Sequence, residues 1–222
     1  MSKPTSPSGR RPPDRPGRQG PGGRPPQPPR RRRLSASERA ALQRRKRRRT
    51  FTLAAAGALL VAAITGLLVQ RSQAHNRAVR ALGVQTFPNQ GQTHLQSGQD
   101  FTSYNSTPPT SGAHDPKPAP CGVTSQPIPN TVQVHDLEHG VVMVQYRPGL
   151  AAGQVAALEA LGRSYASHVI VAPYPDLPEA VAATAWTKLL ALDHADTGKL
   201  RTFIGLFRQH GPEAGIPCPR SG

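Results

Sequence analysis

The sequence predicts an α/β (or α+β) fold. It is a small extracytoplasmic β-α-β-β-α sandwich behind a long irregular N-terminal loop region, joined to one transmembrane helix and a disordered N-terminal tail. Three observations predict it. Phe51 to Val69 is a run of 19 uncharged residues that directly follows the most basic stretch of the chain. Beyond residue 84, short β-branched runs alternate with segments whose apolar residues recur at helical spacing. Between the two lie residues 85–130, rich in Gln, Ser, Thr, Pro and Asn and without clear period.

The tail follows from charge and composition. Across 222 residues, 28 Lys and Arg oppose 12 Asp and Glu, a formal net charge of +16. Residues 1–50 hold 17 of those basic groups against only Asp14 and Glu38, whereas residues 51–222 hold 11 basic and 10 acidic groups. The basicity therefore belongs to the first fifty residues, which excludes a basic globular fold and argues against nucleic acid as the main partner. Aromatic residues are 5% of the chain and thinly spread, so no base-stacking platform stands out. Residues 1–34 read as a disordered Pro/Arg-rich cytoplasmic tail. Ten Pro and five Gly within residues 1–30, with almost no apolar side chain, leave too little burial to offset ordering entropy.

Residues 35–50 read as a basic juxtamembrane helix started by a Ser cap at Ser35. Residues 51–70 read as the transmembrane helix, since 19 residues at 1.5 Å each span about 28 Å, close to the hydrocarbon core of about 30 Å. The basic flank precedes the apolar run and near-neutral sequence follows it. The positive-inside rule therefore puts the N-terminus in the cytoplasm and the remainder outside, with anionic lipid a partner for the basic residues. A cleaved leader is the alternative: Ser72-Gln-Ala74 loosely fits a cleavage site and Arg48-Arg49-Thr-Phe51 loosely fits a twin-arginine signal. The long flank, the long apolar run and Arg71 before the cut favour an uncleaved anchor. Residues 71–83 then form a stalk and residues 84–222 the extracytoplasmic domain.

Within that domain, Val141-Val-Met-Val-Gln-Tyr146 suits a buried strand stopped by Arg-Pro-Gly. Val155, Leu158, Leu161 and Tyr165 recur at helical spacing over residues 151–165. His168-Val-Ile-Val-Ala-Pro-Tyr174 reads as a second strand. Residues 180–190 are of helical length, but Val181, Thr184 and Trp186 favour strand for the first half. Residues 197–210 place Leu200, Phe203, Ile204 and Phe207 on one face of a last helix, ended by Gly211-Pro212.

All eight His follow the apolar run. His135 and His139 frame His-Asp-Leu-Glu138-His, and on a helix such a pair shares a face and suits one ion. The same spacing occurs where Glu acts as a general base beside zinc. Gly140 and a strand follow at once, however, and no downstream acid stands out as the third ligand. By itself the motif is also that of ordinary surface or core histidines. The irregular loop region strengthens the metal reading, because His94 and His114 offer imidazoles from separate loops and Asp136 lies beside the motif as a supporting carboxylate. The candidate ligands of a divalent metal are thus His94, His114, His135, Glu138 and His139. Imidazole and carboxylate suit zinc or copper(II); Met143 is the only Met beyond the first residue, which argues against copper(I). Cys121 and Cys218 are the only cysteines and most simply form one disulfide outside the cytoplasm, with free thiols or metal ligation as alternatives.

Tyr104-Asn-Ser-Thr-Pro-Pro-Thr-Ser-Gly-Ala-His114 and Val134-His-Asp-Leu-Glu-His-Gly140, with Val-Ile-Val-Ala-Pro173, Ala185-Trp186 and the closing Gly-Pro-Glu-Ala-Gly…Pro-Cys218, resemble a bacterial family. It is the one known as domain of unknown function 3105, membrane-anchored and common in actinobacteria. The resemblance spans most of residues 88–218. It implies recurring polar positions at His94, Tyr104, Asn105, His114, His135, Glu138 and His139, with Asp136 standing where Asn is more usual. It implies architecture and no activity. Three readings follow. The first is a single-pass, membrane-anchored protein with a His/Glu divalent-metal site. The second is a zinc-dependent hydrolase with Glu138 as base. The third is a metal-free envelope interaction module in which Asn105, Thr110 and Ser111 pin the long loop through side-chain-to-backbone bonds.

Overall fold

The computed structural model describes residues 33–218. Most of the predicted tail lies outside the described residues. Ser35 opens helix α1 (Ala36–Leu82) through a capping box. Its hydroxyl accepts the N–H of Glu38 at 3.2 Å, and the Glu38 carboxylate accepts the N–H of Ser35 at 2.7 Å. None of the 47 residues of α1 is buried, and Phe51, Leu53, Leu59, Leu60, Ile64 and Leu68 are all exposed. Among the described residues α1 is the one helix long and apolar enough to cross a membrane, and a signal sequence has the same character. The stretch expected as a stalk continues the helix to Leu82. The chain divides into two units after Leu59, and the second carries the sheet.

In that second unit follow β1 (Gln85–Thr86), β2 (Gly122–Val123), α2 (Asn130–Glu138), β3 (Val142–Tyr146), α3 (Ala152–Arg163), β4 (Val169–Pro173), β5 (Val181–Ala185), β6 (Lys188–Leu192) and α4 (Thr197–Phe207). The strands form one mixed sheet in the order β1-β6-β5-β3-β4-β2. β3 pairs parallel to β4, Val142 opposite Val169, across the α3 crossover; β5 pairs antiparallel to β3, and β6 antiparallel to β5. The predicted β-α-β-β-α order is present, with β1, β2 and α2 before it and β6 added. Residues 180–190 are a hairpin, β5 turning into β6 at Trp186-Thr187.

Period-2 alternation sends the two sides of each strand to different cores. Val142, Val144, Val169, Val171, Val181 and Ala183 meet Leu158 and Leu161 of α3 and Leu200, Phe203, Ile204 and Phe207 of α4. Val79 and Leu82 at the end of α1 pack on this cluster. Met143, Ile170 and Ala172 point to the other face, where they meet Leu137 of α2, Val141 and the Cys121–Cys218 disulfide. The loop region and α2 cover that face, and the polar cluster lies there.

Candidate metal centre

Helix α2 is short and begins at Pro129 without a side-chain cap. Its inward side is polar, since Gln133, His135, Asp136 and Glu138 are buried beside Val134 and Leu137. It stops in a Schellman turn. Gly140 (φ 83) donates its N–H to Leu137 O at 3.0 Å, and Val141 donates to Asp136 O at 3.0 Å. Only a residue at ease with positive φ fits there, which explains Gly140 directly after His139. The turn delivers the chain into β3 while leaving His135 and Glu138 facing the loop region.

That region supplies the other donors by pairing with itself. His94 and His114 form a parallel β-bridge: Leu95 N–H donates to His114 O at 2.7 Å and His114 N–H donates to Thr93 O at 2.9 Å. The rings of His94 and His114 lie 4.8 Å apart, and each lies 5.2 Å from the ring of His135. His94, His114, His135 and Glu138 bring one donor atom each within 4.8 Å of one another, and this cluster could hold a metal ion. Glu138 Oε2 is 2.9 Å from His114 Nε2 and 3.6 Å from His94 Nε2. Two donors about 2.1 Å from one ion stand roughly 3.0 Å apart at a right angle and 3.4 Å apart at the tetrahedral angle. The observed 2.9 and 3.6 Å lie just either side of that range.

The protonation pattern follows from the neighbours. His114 Nδ1 is 2.8 Å from Gly112 O, an acceptor only, so Nδ1 carries a hydrogen, and in the neutral ring Nε2 presents a lone pair to Glu138. Gln92 Nε2 donates to Glu138 Oε1 at 2.8 Å, which fixes the carboxylate and turns Oε2 inward. His114 Nε2, His135 Nδ1 and Glu138 Oε2 are buried and have no hydrogen-bond partner. Burial, then the neighbouring His139 and His114, lower the His135 pKa to about 4. A neutral imidazole is the form a metal requires. His94 is 49% exposed and Glu138 only 1%, so the cluster reaches solvent along the His94 side.

The remaining predicted residues sort differently. His139 falls outside the group of four. Its Nε2 is 3.7 Å from Glu213 Oε2, and Glu138, His139 and Glu213 make a second such cluster. Burial lowers the His139 pKa against the pull of both glutamates. Tyr104 and Asn105 hold the loop. Tyr104 donates to Ala113 O at 2.7 Å, and Asn105 takes Gln90 Oε1 on its N–H and Pro88 O on its side-chain amide. Ser111 Oγ accepts the Gln90 N–H at 3.1 Å, and Thr110 Oγ1 is 3.2 Å from Ser106 Oγ. Asp136 accepts the Ala119 N–H at 3.1 Å, and burial raises its pKa well above the usual carboxylate range. It fastens the 119 loop to α2. Cys121 and Cys218 are bonded, closing a separation of 97 residues. Gln92, Gly112 and Glu213 escaped the sequence reading, because their partners are distant in sequence or backbone atoms.

A mixed α/β domain with a mostly buried His/Glu cluster of metal-binding composition is thus the class that fold and site define. The chain belongs to the family described as protein of unknown function, DUF3105, whose model matches residues 94–220, from the first histidine of the cluster to just past Cys218. No curated protein and no solved structure shows significant similarity to it.

Proposed function

We propose that this chain is a single-pass membrane protein whose domain outside the cytoplasm, residues 84–222, binds a divalent metal, zinc or copper(II), through His94, His114, His135 and Glu138. One observation carries this reading: His114 Nε2 and Glu138 Oε2, both buried and without hydrogen-bond partners, face each other at 2.9 Å. A lone pair against a carboxylate oxygen requires a proton or a cation between them, and two more imidazoles converge on the same point. Bound there, the ion supplies concentrated positive charge in a low-dielectric site. Gly112 and Gln92 fix the orientation of two of its donors.

The hydrolase reading requires both histidines of the His-x-x-Glu-His pattern on one ion with Glu138 free as base. His139 stands outside the group of four, and Glu138 occupies a ligand's place within it. Metal binding serving a role in the cell envelope is therefore the reading supported best. The topology rests on the positive-inside asymmetry, with Arg44 to Arg49 on α1 facing anionic lipid on the cytoplasmic side.

Full-length protein purified in detergent is expected to carry near-stoichiometric zinc or copper by elemental analysis, lost in the His114→Ala/His135→Ala double variant. A wild-type protein that is metal-free as isolated and takes up neither ion overturns the proposal. Protease added to intact cells should digest the C-terminal domain and spare an N-terminal epitope.

A further inference from the structure

Residues 209–213 press on the end of α2 more closely than ordinary packing requires. A Cβ on Gly211 would collide with the Glu138 carbonyl oxygen and lie 2.6 Å from Gly140 N, so only glycine allows this approach. Two backbone bonds clamp the turn in place, Gln209 N–H to Gly140 O at 2.7 Å and Glu213 N–H to Glu138 O at 3.0 Å. The result is a carboxylate, Glu213, carried to His139 from 74 residues away in sequence.

We propose that Glu138 bridges two cations, and that His139 and Glu213 complete a second, solvent-open divalent-metal position beside the first. This rests on the metal reading above and extends it. The donor atoms of Glu138, His139 and Glu213 lie within 4.8 Å of one another. His139 Nε2 and Glu213 Oε2 stand 3.7 Å apart. That is too long for a hydrogen bond and close to the roughly 3.4 Å between two ligands on one tetrahedral ion. Glu138 is 1% exposed, its Oε2 faces the first group while its Oε1 accepts the Gln92 amide, and it is the one residue common to both groups. Six donors do not suit one tetrahedral ion, because the first group already supplies four. A carboxylate has two oxygens and can serve two ions, as in other two-metal centres. The two positions differ in kind. The first has four protein donors, as closed structural sites do. The second has three, with Glu213 47% exposed, so that water or an anionic oxygen can complete it, the arrangement of reactive ions.

The test is metal stoichiometry of the full chain in detergent, stripped with chelator, reloaded with excess cobalt(II) or zinc, and gel-filtered. Two ions per chain in the wild type and one in Glu213→Gln support the proposal. The histidine-rich position should persist in that variant with its cobalt spectrum intact. His139→Asn provides a second variant with the same expectation, and circular dichroism checks that each is folded. One ion in the wild type and one in Glu213→Gln overturn the second position and leave the first standing. Two ions in both overturn the assignment of Glu213. No ion in the wild type overturns the underlying metal reading as well.

Discussion

His114 Nε2 lies 2.9 Å from Glu138 Oε2, and a hydrogen of the His114 ring is committed to the opposite side, to Gly112 O. Two acceptors held together in a dry site repel unless something positive lies between them. Glu138→Gln replaces one acceptor with an amide able to donate to His114. We expect this variant to lose the ion and, in chelator, to be at least as stable as wild type, by about 1 kcal/mol if the new hydrogen bond forms. Urea denaturation of both proteins with and without chelator reads both effects.

Gln92 is not itself a proposed metal ligand, yet its amide donates to Glu138 Oε1 at 2.8 Å. Removing a partner that orients a ligand typically lowers metal affinity by about 10–100-fold. Gln92→Ala should weaken zinc binding to that extent in competition with a chromophoric chelator while leaving the far-ultraviolet spectrum unchanged.

His135 makes the metal-free domain acid-sensitive. Its folded pKa is about 4 because burial and neighbouring histidines oppose its charge, against an ordinary value of about 6.5 in the unfolded chain. Above the unfolded value both states are neutral and nothing is lost. As pH falls from about 6.5 to about 4 only the unfolded chain takes the proton, and stability declines; below that this contribution is flat. The raised pKa of Asp136 acts in the opposite sense, so the informative quantity is a difference. His135→Gln should show a smaller loss of melting temperature between pH 7 and pH 4.5 than chelated wild type.

The disulfide ties Cys121, beside β2, to the last described residue. A loop of 97 residues corresponds to roughly 4–5 kcal/mol in the chain-entropy model. Reduction, or a Cys121→Ser/Cys218→Ser pair, should lower the melting temperature by about 8–20 °C at the usual scale of about 2–4 °C per kcal/mol. Thermal unfolding with and without reductant checks this.

Elements with a local signature were legible in the sequence. The Ser35 cap, the apolar runs of β3 and β4, and the Leu200/Phe203/Ile204/Phe207 stripe of α4 each announce themselves within a few residues. Helix α2 does not, because it lacks a side-chain cap and its buried side is largely polar, leaving no apolar stripe to find. The β5–β6 hairpin escaped for a related reason. Its turn is Trp186-Thr187, with Thr187 at φ 61, where Gly or Asn would have marked it. At the cluster, His135 and Glu138 stood out by spacing, and His94 and His114 by lying in an unusually long loop. What pairs with what was not legible. The exclusion of His139 from the group of four, and the approach of Gln92 and Glu213, depend on contacts made only when distant segments meet.

The His94–His114 bridge also has a kinetic consequence. The four donors of the first cluster span residues 94 to 138 and come from two loops and a helix, so the unfolded chain has no prearranged cage. Such a centre assembles only after its loops have closed, and long-range closures are slow steps in folding. An ion that recognises the finished cage therefore binds the folded state alone. At a free concentration one hundred times its Kd it would add about 2.7 kcal/mol of stability. Metal availability would then set how long the domain survives proteases and heat, whatever else the ion does.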